Sequence, residues 1–427
     1  MSVLSESIEA FNKQQLGAHQ GQFDYLADQL TKKGVAVSNI LGKLSDFQVA
    51  IPSWALGAGG TRFGRYSIGG EPASLEDKIE DVGLIHSLTK SAGAISLHIP
   101  WDIPKDPEAI KQRAQSLGLT FDAVNSNTFQ DQPGQRYSYK FGSLSHSNKE
   151  VRDQAIAHNQ EVIAYGKALG STSITVWLAD GSSFPGQHNF RKAYQHTQDS
   201  LQKIYQAMPD DWKMYIEYKP YEPYFYSMVI PDWGTSLSLA QACGPNAYTL
   251  VDLGHHLPNT NIEQIVAILM MKGKLGGFHF NDSKYGDDDL TCGSIKPWQL
   301  FLIFQELVYG MENNSSHNPD LAWMIDASHN LKDPLEDLLQ SLEAILIAYA
   351  QALVVDREVL KKAQEENDGV RCQEILQDSF RTDVRPLLAE ARRLGGGAID
   401  PIGLYRKMAV RKKLMEERGE NVVATGL

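Results

Sequence analysis

Residues 275–290, LGGFHFNDSKYGDDDL, concentrate groups able to do chemistry at one point of the chain. Small and apolar residues that read as a short buried strand give way to His279, Asn281, Asp282, Lys284, Asp287, Asp288 and Asp289. Carboxylates crowded side by side repel one another when ionised, which raises their pKa values unless a cation stabilises the charge. A divalent metal ion is the simplest resolution. The spacing Asp287-x-Asp289 lets two carboxylates of one turn reach a single ion, while His279, earlier on the strand, serves a different position. For three consecutive aspartates the plain alternative is a solvated acidic loop; what favours a site is the repetition of the pattern in other segments.

To converge, those segments need a common scaffold. Strand and helix alternate along most of the chain: candidate strands span residues 47–55, 94–102, 121–129, 173–180, 212–220, 247–256, the stretch beginning at 275, and 321–330. Each is followed by a helical segment, the first of them opened by Ser74 as N-cap with acidic residues in its first turn. Eight such units read as an α/β fold, a (β/α)₈ TIM barrel. Residues 1–45 read as an N-terminal helical extension, 46–355 as the barrel, and the highly charged 356–427 as a C-terminal helical extension that packs on the barrel or on a neighbouring subunit.

In such a barrel the active site lies at the C-terminal ends of the strands. Those ends carry Trp54, His98, Asn125, Trp177 with Asp180, Glu217 with Lys219, Asp252 with His255, His279 with Asp287 and Asp289, and Asp326. One buried polar residue is usually a satisfied core group; eight convergent ends point to a site. Glu217, Asp252, His279 and Asp326, from strands five to eight, would encircle one metal ion. His255, Asp287 and Asp289 would hold a second, with Asp252 bridging the two. Oxygen-rich ligation with imidazole suits Mn²⁺, Co²⁺, Mg²⁺ or Zn²⁺, and two close ions act as Lewis acids and as a template for adjacent oxygens. Trp54, Phe129 and Trp177 offer flat faces for the apolar edges of a sugar, core packing being the alternative for each. Lys219 lies two residues past Glu217, on the same face of an extended segment, and either polarises a carbonyl oxygen or balances the carboxylates.

A net charge of −12 and a pI near 5.5 argue against nucleic acid or an anionic membrane as partner. The three cysteines, Cys243, Cys292 and Cys372, are far apart and form no CxxC pair, which fits a reducing, cytoplasmic compartment. No apolar run reaches the ~18 residues needed to span a bilayer. The glycine-rich loop GAGGTRFGRYSIGGEP lacks the GxxxxGK[ST] pattern and does not run straight into a helix, which argues against nucleotide binding.

Taken together, GGTRFGRY, SLHIPWD, NSNTF, SYKFGSLSH, TVWLADGSSFPGQ, EYKPYEPYFYS, VDLGHHLPNTNIE, GKLGGFHFNDSKYGDDDL, MIDASHN, SFRTDVRPLLAEAR and GGAIDPIGLYR resemble the L-rhamnose isomerase family. The likeness is to its bacterial branch of broad aldose specificity, within the xylose-isomerase-like barrel superfamily. It implies an aldose–ketose isomerase acting on L-rhamnose and L-rhamnulose, and on other aldoses such as L-mannose or D-allose. It further implies two divalent ions per subunit, Mn²⁺ foremost, and a homotetramer. Within the resemblance, Glu217, Asp252, His279 and Asp326 match the structural-metal ligands, and His255, Asp287 and Asp289, with Asp252 shared, the catalytic-metal ligands. His98 matches a residue that assists ring opening, Lys219 one that contacts the substrate oxygen, and Phe63 an aromatic that reaches a neighbouring subunit's site. Lys219, His98, Asp326 and Asp289 are thus the candidate catalytic residues, and Trp54, Phe63, Phe129, Trp177, Lys219 and His98 the candidate sugar contacts. The rival readings are a ketose 3-epimerase of the same superfamily and a non-catalytic sugar-binding barrel; an endonuclease of this fold would require a basic groove.

Overall fold

The computed structural model describes residues 2–57, 66–313, 320–327 and 331–420. Eight parallel strands close into a barrel: β1 (Ala50–Pro52), β2 (Ala94–Ile99), β3 (Thr120–Ser126), β4 (Ser173–Val176), β5 (Lys213–Glu217), β6 (Ala247–Asp252), β7 (Leu275–Phe280) and β8 (Ala322–Ile325). Closure is made at Ala50, which stands in register with Ala94 of β2 on one side and Met324 of β8 on the other. A helix follows every strand, and the turn before it commonly supplies a cap. Ser74 accepts from the Asp77 amide and Asp232 from that of Thr235, so backbone donors at helix starts are satisfied locally. Gly181–Ser182 and Ser227–Met228 form a small antiparallel ribbon over the C-terminal mouth.

Alternation along the strands sorts core from site. On β7, Phe278 and Phe280 face outward and stack with Trp323 of β8 and with Phe304 of the helix Pro297–Asn313, at centroid distances of 5.3 to 6.3 Å. His279, between them, turns to the barrel interior. All eight expected strands are present, and each of the seven with an expected end is shorter than the pattern predicts, β1 and β8 most of all. β1 ends at Pro52 because the chain turns into a 3₁₀ segment, Ser53–Ala55, which carries Trp54. β8 ends at Ile325, leaving Asp326 one residue beyond, its amide still bonded to the Phe280 carbonyl at 2.9 Å.

Two helices, Ser2–Lys32 and Val37–Asp46, precede the barrel, and five follow its last helix, Pro334–Leu353. The terminal segments pack on each other and on this chain's own barrel. Asn12 bonds the Gly397 carbonyl and the Ile399 amide, His19 pairs with Glu390 at 2.8 Å, and Leu387 and Leu388 are buried. Among the described residues no single helix is long and apolar enough to cross a membrane.

Replacing Phe280, fully buried in the aromatic stack, by alanine should cost about 3–5 kcal/mol. Denaturant unfolding of Phe280→Ala would measure this, and a loss below about 1 kcal/mol would show that the outward stack is not a principal support of the sheet.

Candidate active site

Four adjacent strands bring their C-terminal ends together in one group of donors. Glu217 and Asp252 are the last residues of β5 and β6, His279 is the last but one of β7, and Asp326 lies just past β8. Their ligand atoms all fall within 4.8 Å of one another. His279 Nδ1 lies 3.1 Å from Glu217 Oε1, 3.4 Å from Asp326 Oδ2 and 3.9 Å from Asp252 Oδ2. Asp252, His255 and Asp287 form a second such group, so Asp252 belongs to both. His255 Nε2 stands 3.3 Å from Asp287 Oδ1. Asp289, expected beside Asp287, lines the same cavity with its backbone at φ 49°, outside the tight trio.

The two oxygens of Asp252 test whether this set fits a cation. Oδ1 accepts from the amides of Gly254 (2.7 Å) and His255 (3.2 Å) and from Asn281 Nδ2 (2.9 Å). Oδ2 is fully buried with no hydrogen-bond partner among the described residues. An orphaned buried carboxylate oxygen is costly, and this one belongs to the residue common to both donor groups. Four carboxylates and two imidazoles suit a hard or borderline divalent ion, so Glu217, Asp252, His279 and Asp326 would hold one and Asp252, His255 and Asp287 a second.

Protons balance the charge when no cation does. Burial pushes the Asp252 carboxyl up to about 7, with Glu217, Asp326 and Asp287 adding to the shift and His255 opposing it. Burial also disfavours charge on His279, but Glu217, Asp326 and Asp252 outweigh it and raise that imidazole to about 9. His255 is raised by Asp252, Asp287 and Glu217 against the same opposition. Glu217, despite burial, is held down at about 2 by His279 and His255.

The other half of the site is aromatic. His98, near the end of β2, stacks on Trp101 (4.1 Å, 26°) and meets Trp54 and Phe129 edge-on, each at 5.5 Å. Phe129 packs against Trp177 at 4.9 Å. Burial, with His158 and Lys78, pushes the His98 imidazole down to about 3, and so it is neutral. At the seam between the halves, Lys219 sits over Trp177 and pairs with both Asp287 and Glu222. On the opposite side Trp54 Nε1 donates to Asp326 Oδ1 at 2.9 Å. Trp54, His98, Trp101, Phe129, Trp177 and Glu222, with the donors opposite, line a cavity of about 390 Å³. A larger one, about 930 Å³, lies at the other end of the barrel near Thr89 and Ser91, away from these donors.

Trp54, His98, Phe129, Trp177 and six of the seven candidate ligands therefore line one cavity, Asp252 joins them through the two donor groups, and Lys219 touches the lining through Asp287, Glu222 and Trp177; Phe63 lies outside the described residues. Asp180 does not join them. Its carboxylate is taken up by the amides and hydroxyls of Ser143 and Ser145 at 2.7–2.9 Å, which anchors the loop carrying Tyr139 and Lys140 to the cavity wall. Trp101 and Glu222 were missed. Each lies three residues past a candidate, His98 and Lys219, and that spacing was the available signal.

Residues 88–314 match the family described as xylose isomerase-like TIM barrel, and the chain belongs to that family. It is 50% identical over 418 residues to a "probable sugar isomerase" of Rhizobium meliloti (strain 1021), covering 98% of this chain and 97% of that one. A second "probable sugar isomerase", of Mesorhizobium japonicum, is 49% identical over 416 residues, covering 97% and 96%. Among solved structures, the 3-keto-D-glucoside 4-epimerase of E. coli superposes with a TM-score of 0.51 at 13% identity over 70% of this chain and 99% of that one, a likeness in fold alone.

Because His279 titrates near 9 and Asp252 near 7, both bind protons near neutral pH in the cation-free protein, and ligation requires their loss. Mn²⁺ uptake by chelator-stripped protein should therefore release at least about one proton at about pH 7.5, with affinity rising until about pH 9. Calorimetry in buffers of different ionisation enthalpy measures this. A buffer-independent heat together with a pH-independent affinity would contradict the assignment.

Proposed function

We propose that the protein is a metal-dependent aldose–ketose isomerase that interconverts L-rhamnose and L-rhamnulose by a 1,2-hydride shift and also accepts aldoses such as L-mannose or D-allose. The observation that carries this reading is the pair of donor groups sharing Asp252 at the floor of a cavity whose opposite wall is aromatic. A sugar is amphipathic in the same sense: adjacent hydroxyl or carbonyl oxygens on one edge, C–H groups on the other. The name shared by the two close relatives supports an isomerase, and the motif resemblance supports L-rhamnose as substrate.

When bound, two divalent ions would supply Lewis-acid polarisation of the sugar's neighbouring oxygens. The remaining work falls to this chain. Neutral His98, with one ring nitrogen able to donate and the other to accept, can hydrogen-bond the sugar's ring and anomeric oxygens as the pyranose ring opens. Trp54, Phe129 and Trp177 hold the C–H face and exclude water. The hydrogen on C2 then moves with its electron pair to C1, while the O2 proton passes to O1. Lys219, a donor held between Asp287 and Glu222, stabilises negative charge developing on the carbonyl oxygen. Asp289 and Asp326, on the same cavity wall, complete the polar side. We further infer a cytoplasmic homotetramer, from the family resemblance and the cysteine usage.

Chelator-stripped protein given L-rhamnose should form ketose only when Mn²⁺ is restored. Metal binding without ketose from L-rhamnose or a panel of other aldoses would refute the isomerase reading, and conversion of one ketose into another would make it an epimerase. Asp287→Asn should keep the fold but lose about a hundredfold or more in turnover, since even the groups behind a ligand are worth roughly ten- to a hundredfold. Wild-type turnover and metal affinity in that variant would remove Asp287 from the ligand set.

A further inference from the structure

Among the contacts of the C-terminal helices with the rest of the chain is that of Arg411, near the start of the helix Val410–Arg418. Its guanidinium grips two segments far apart in sequence. Nε and one terminal nitrogen bind Asp333 as a fork, at 3.1 and 2.6 Å. The other terminal nitrogen donates to the Gly69 and Gly70 carbonyls, both at 3.1 Å. Tyr405 adds its hydroxyl to Asp333 at 2.7 Å. Only 17% of the arginine side chain and 15% of the aspartate are exposed, which makes this a shielded, charge-assisted fork rather than a loose surface pair.

The two gripped segments seat closely. The Gly70 amide bonds the Gly419 carbonyl at 2.9 Å, and Arg418 reaches both the Gly70 carbonyl (3.3 Å) and Asp81 (2.8 Å). A Cβ on Gly70, itself at φ +70°, would fall 2.7 Å from the backbone of Leu414 and Met415, so only glycine lets the segment lie on the helix. Asp333 also caps the helix Pro334–Leu353 by accepting from the Leu335 amide at 3.0 Å.

Both segments follow candidate site residues in the sequence. Gly69 and Gly70 lie on the stretch that follows Trp54 at the end of β1, and Asp333 is on the one that follows Asp326 at the end of β8. Those two strands are neighbours, and Trp54 Nε1 already donates to Asp326 Oδ1. We propose that Arg411 is a positioning residue for the sugar cavity: from outside the barrel it ties together the segments leaving β1 and β8, and so fixes Trp54 against Asp326 on one wall of the site. Asp326 keeps its own strand hydrogen bond to Phe280, and Lys219 and the donors of β5 to β7 lie on other strands. Loss of the tie therefore weakens sugar binding in ground state and transition state alike, which raises KM and leaves kcat.

The kinetic part rests on the isomerase reading, and a measurement of backbone protection separates the two. In Arg411→Gln, hydrogen–deuterium exchange of residues 66–71 should quicken, and KM for the aldose should rise roughly tenfold with kcat within about twofold. Asp333→Asn, whose amide oxygen can still cap Leu335, should behave alike, and decides the matter if Arg411→Gln fails to fold. Arg406→Gln, which breaks the exposed pair with Glu336 and touches neither segment, should match wild type in both readouts. Wild-type exchange at 66–71, or a wild-type KM, in a folded Arg411→Gln or Asp333→Asn protein overturns the proposal. If the wild type turns over no aldose the isomerase reading fails, and exchange alone then decides the role of Arg411.

Discussion

Four carboxylates and two imidazoles, most of them buried, crowd together at the floor of one cavity, and the C-terminal end of the barrel is built around that fact. Two like charges about 4 Å apart repel by about 4 kcal/mol at an effective dielectric constant near 20, so bare ionised groups could not be stacked this way without compensation. Lys219 compensates Asp287; for the remaining groups protons and divalent cations are the remedies, and both act on the same atoms. The raised pKa values of His255, His279 and Asp252 on one hand, and the unpartnered Oδ2 of Asp252 on the other, express one constraint. A cation that replaces those protons satisfies every donor at once, and cation uptake is therefore bound to pH.

The rest of the site is divided so that this demand stays local. Strands β5 to β8 carry the donors, while Trp54, His98, Phe129 and Trp177 lie at the ends of β1 to β4. The aromatic half is held by two buried carboxylates of its own, each saturated by protein donors. Asp102 takes Lys78 Nζ at 2.6 Å, the Ser53 hydroxyl at 2.5 Å and the His98 amide at 2.9 Å; Asp180 takes the Ser143 and Ser145 groups. Being fully engaged, neither has an oxygen to spare for a cation. The contrast between these two aspartates and Asp252 separates an anchor from a ligand more sharply than burial does, since all three are buried.

This contrast also explains what could be read from the chain and what could not. The barrel was legible because buried strands alternate with helices eight times, and Glu217, Asp252, His279 and Asp326 fell into one tight group because each stands within one residue of a strand end, while His255 and Asp287 join Asp252 from the loops that follow. Asp180, four residues past β4, faces Ser143 and Ser145 instead, and its own segment gives no sign of partners some 35 residues away. Glu222 and Trp101, like His255 and Asp287, lie beyond strand ends, where loop geometry rather than strand alternation aims the side chain, and they were missed. The charged tail read as helix, but its attachment depends on pairs such as Arg411 with Asp333 and His19 with Glu390, whose members are tens to hundreds of residues apart and carry no local signature.

The attachment falls where the barrel is least supported by its own ladder. β1 has three residues and β8 four, and they share one registered pair, Ala50 with Met324, whereas β8 and β7 share four. Few ladder hydrogen bonds cross that seam, and side chains must supply what the backbone does not. Phe47, just before β1, packs on Trp323 of β8 at 4.9 Å on the outer face; Trp54 bonds Asp326 at the mouth. The helices that follow the barrel press on the same seam, through Tyr405 and Arg411 to Asp333 and through Arg418 to Asp81. A barrel whose last strand delivers a metal-ligand candidate, Asp326, has to hold that strand against its first. In this chain the polar contacts of the C-terminal helices are placed to do so.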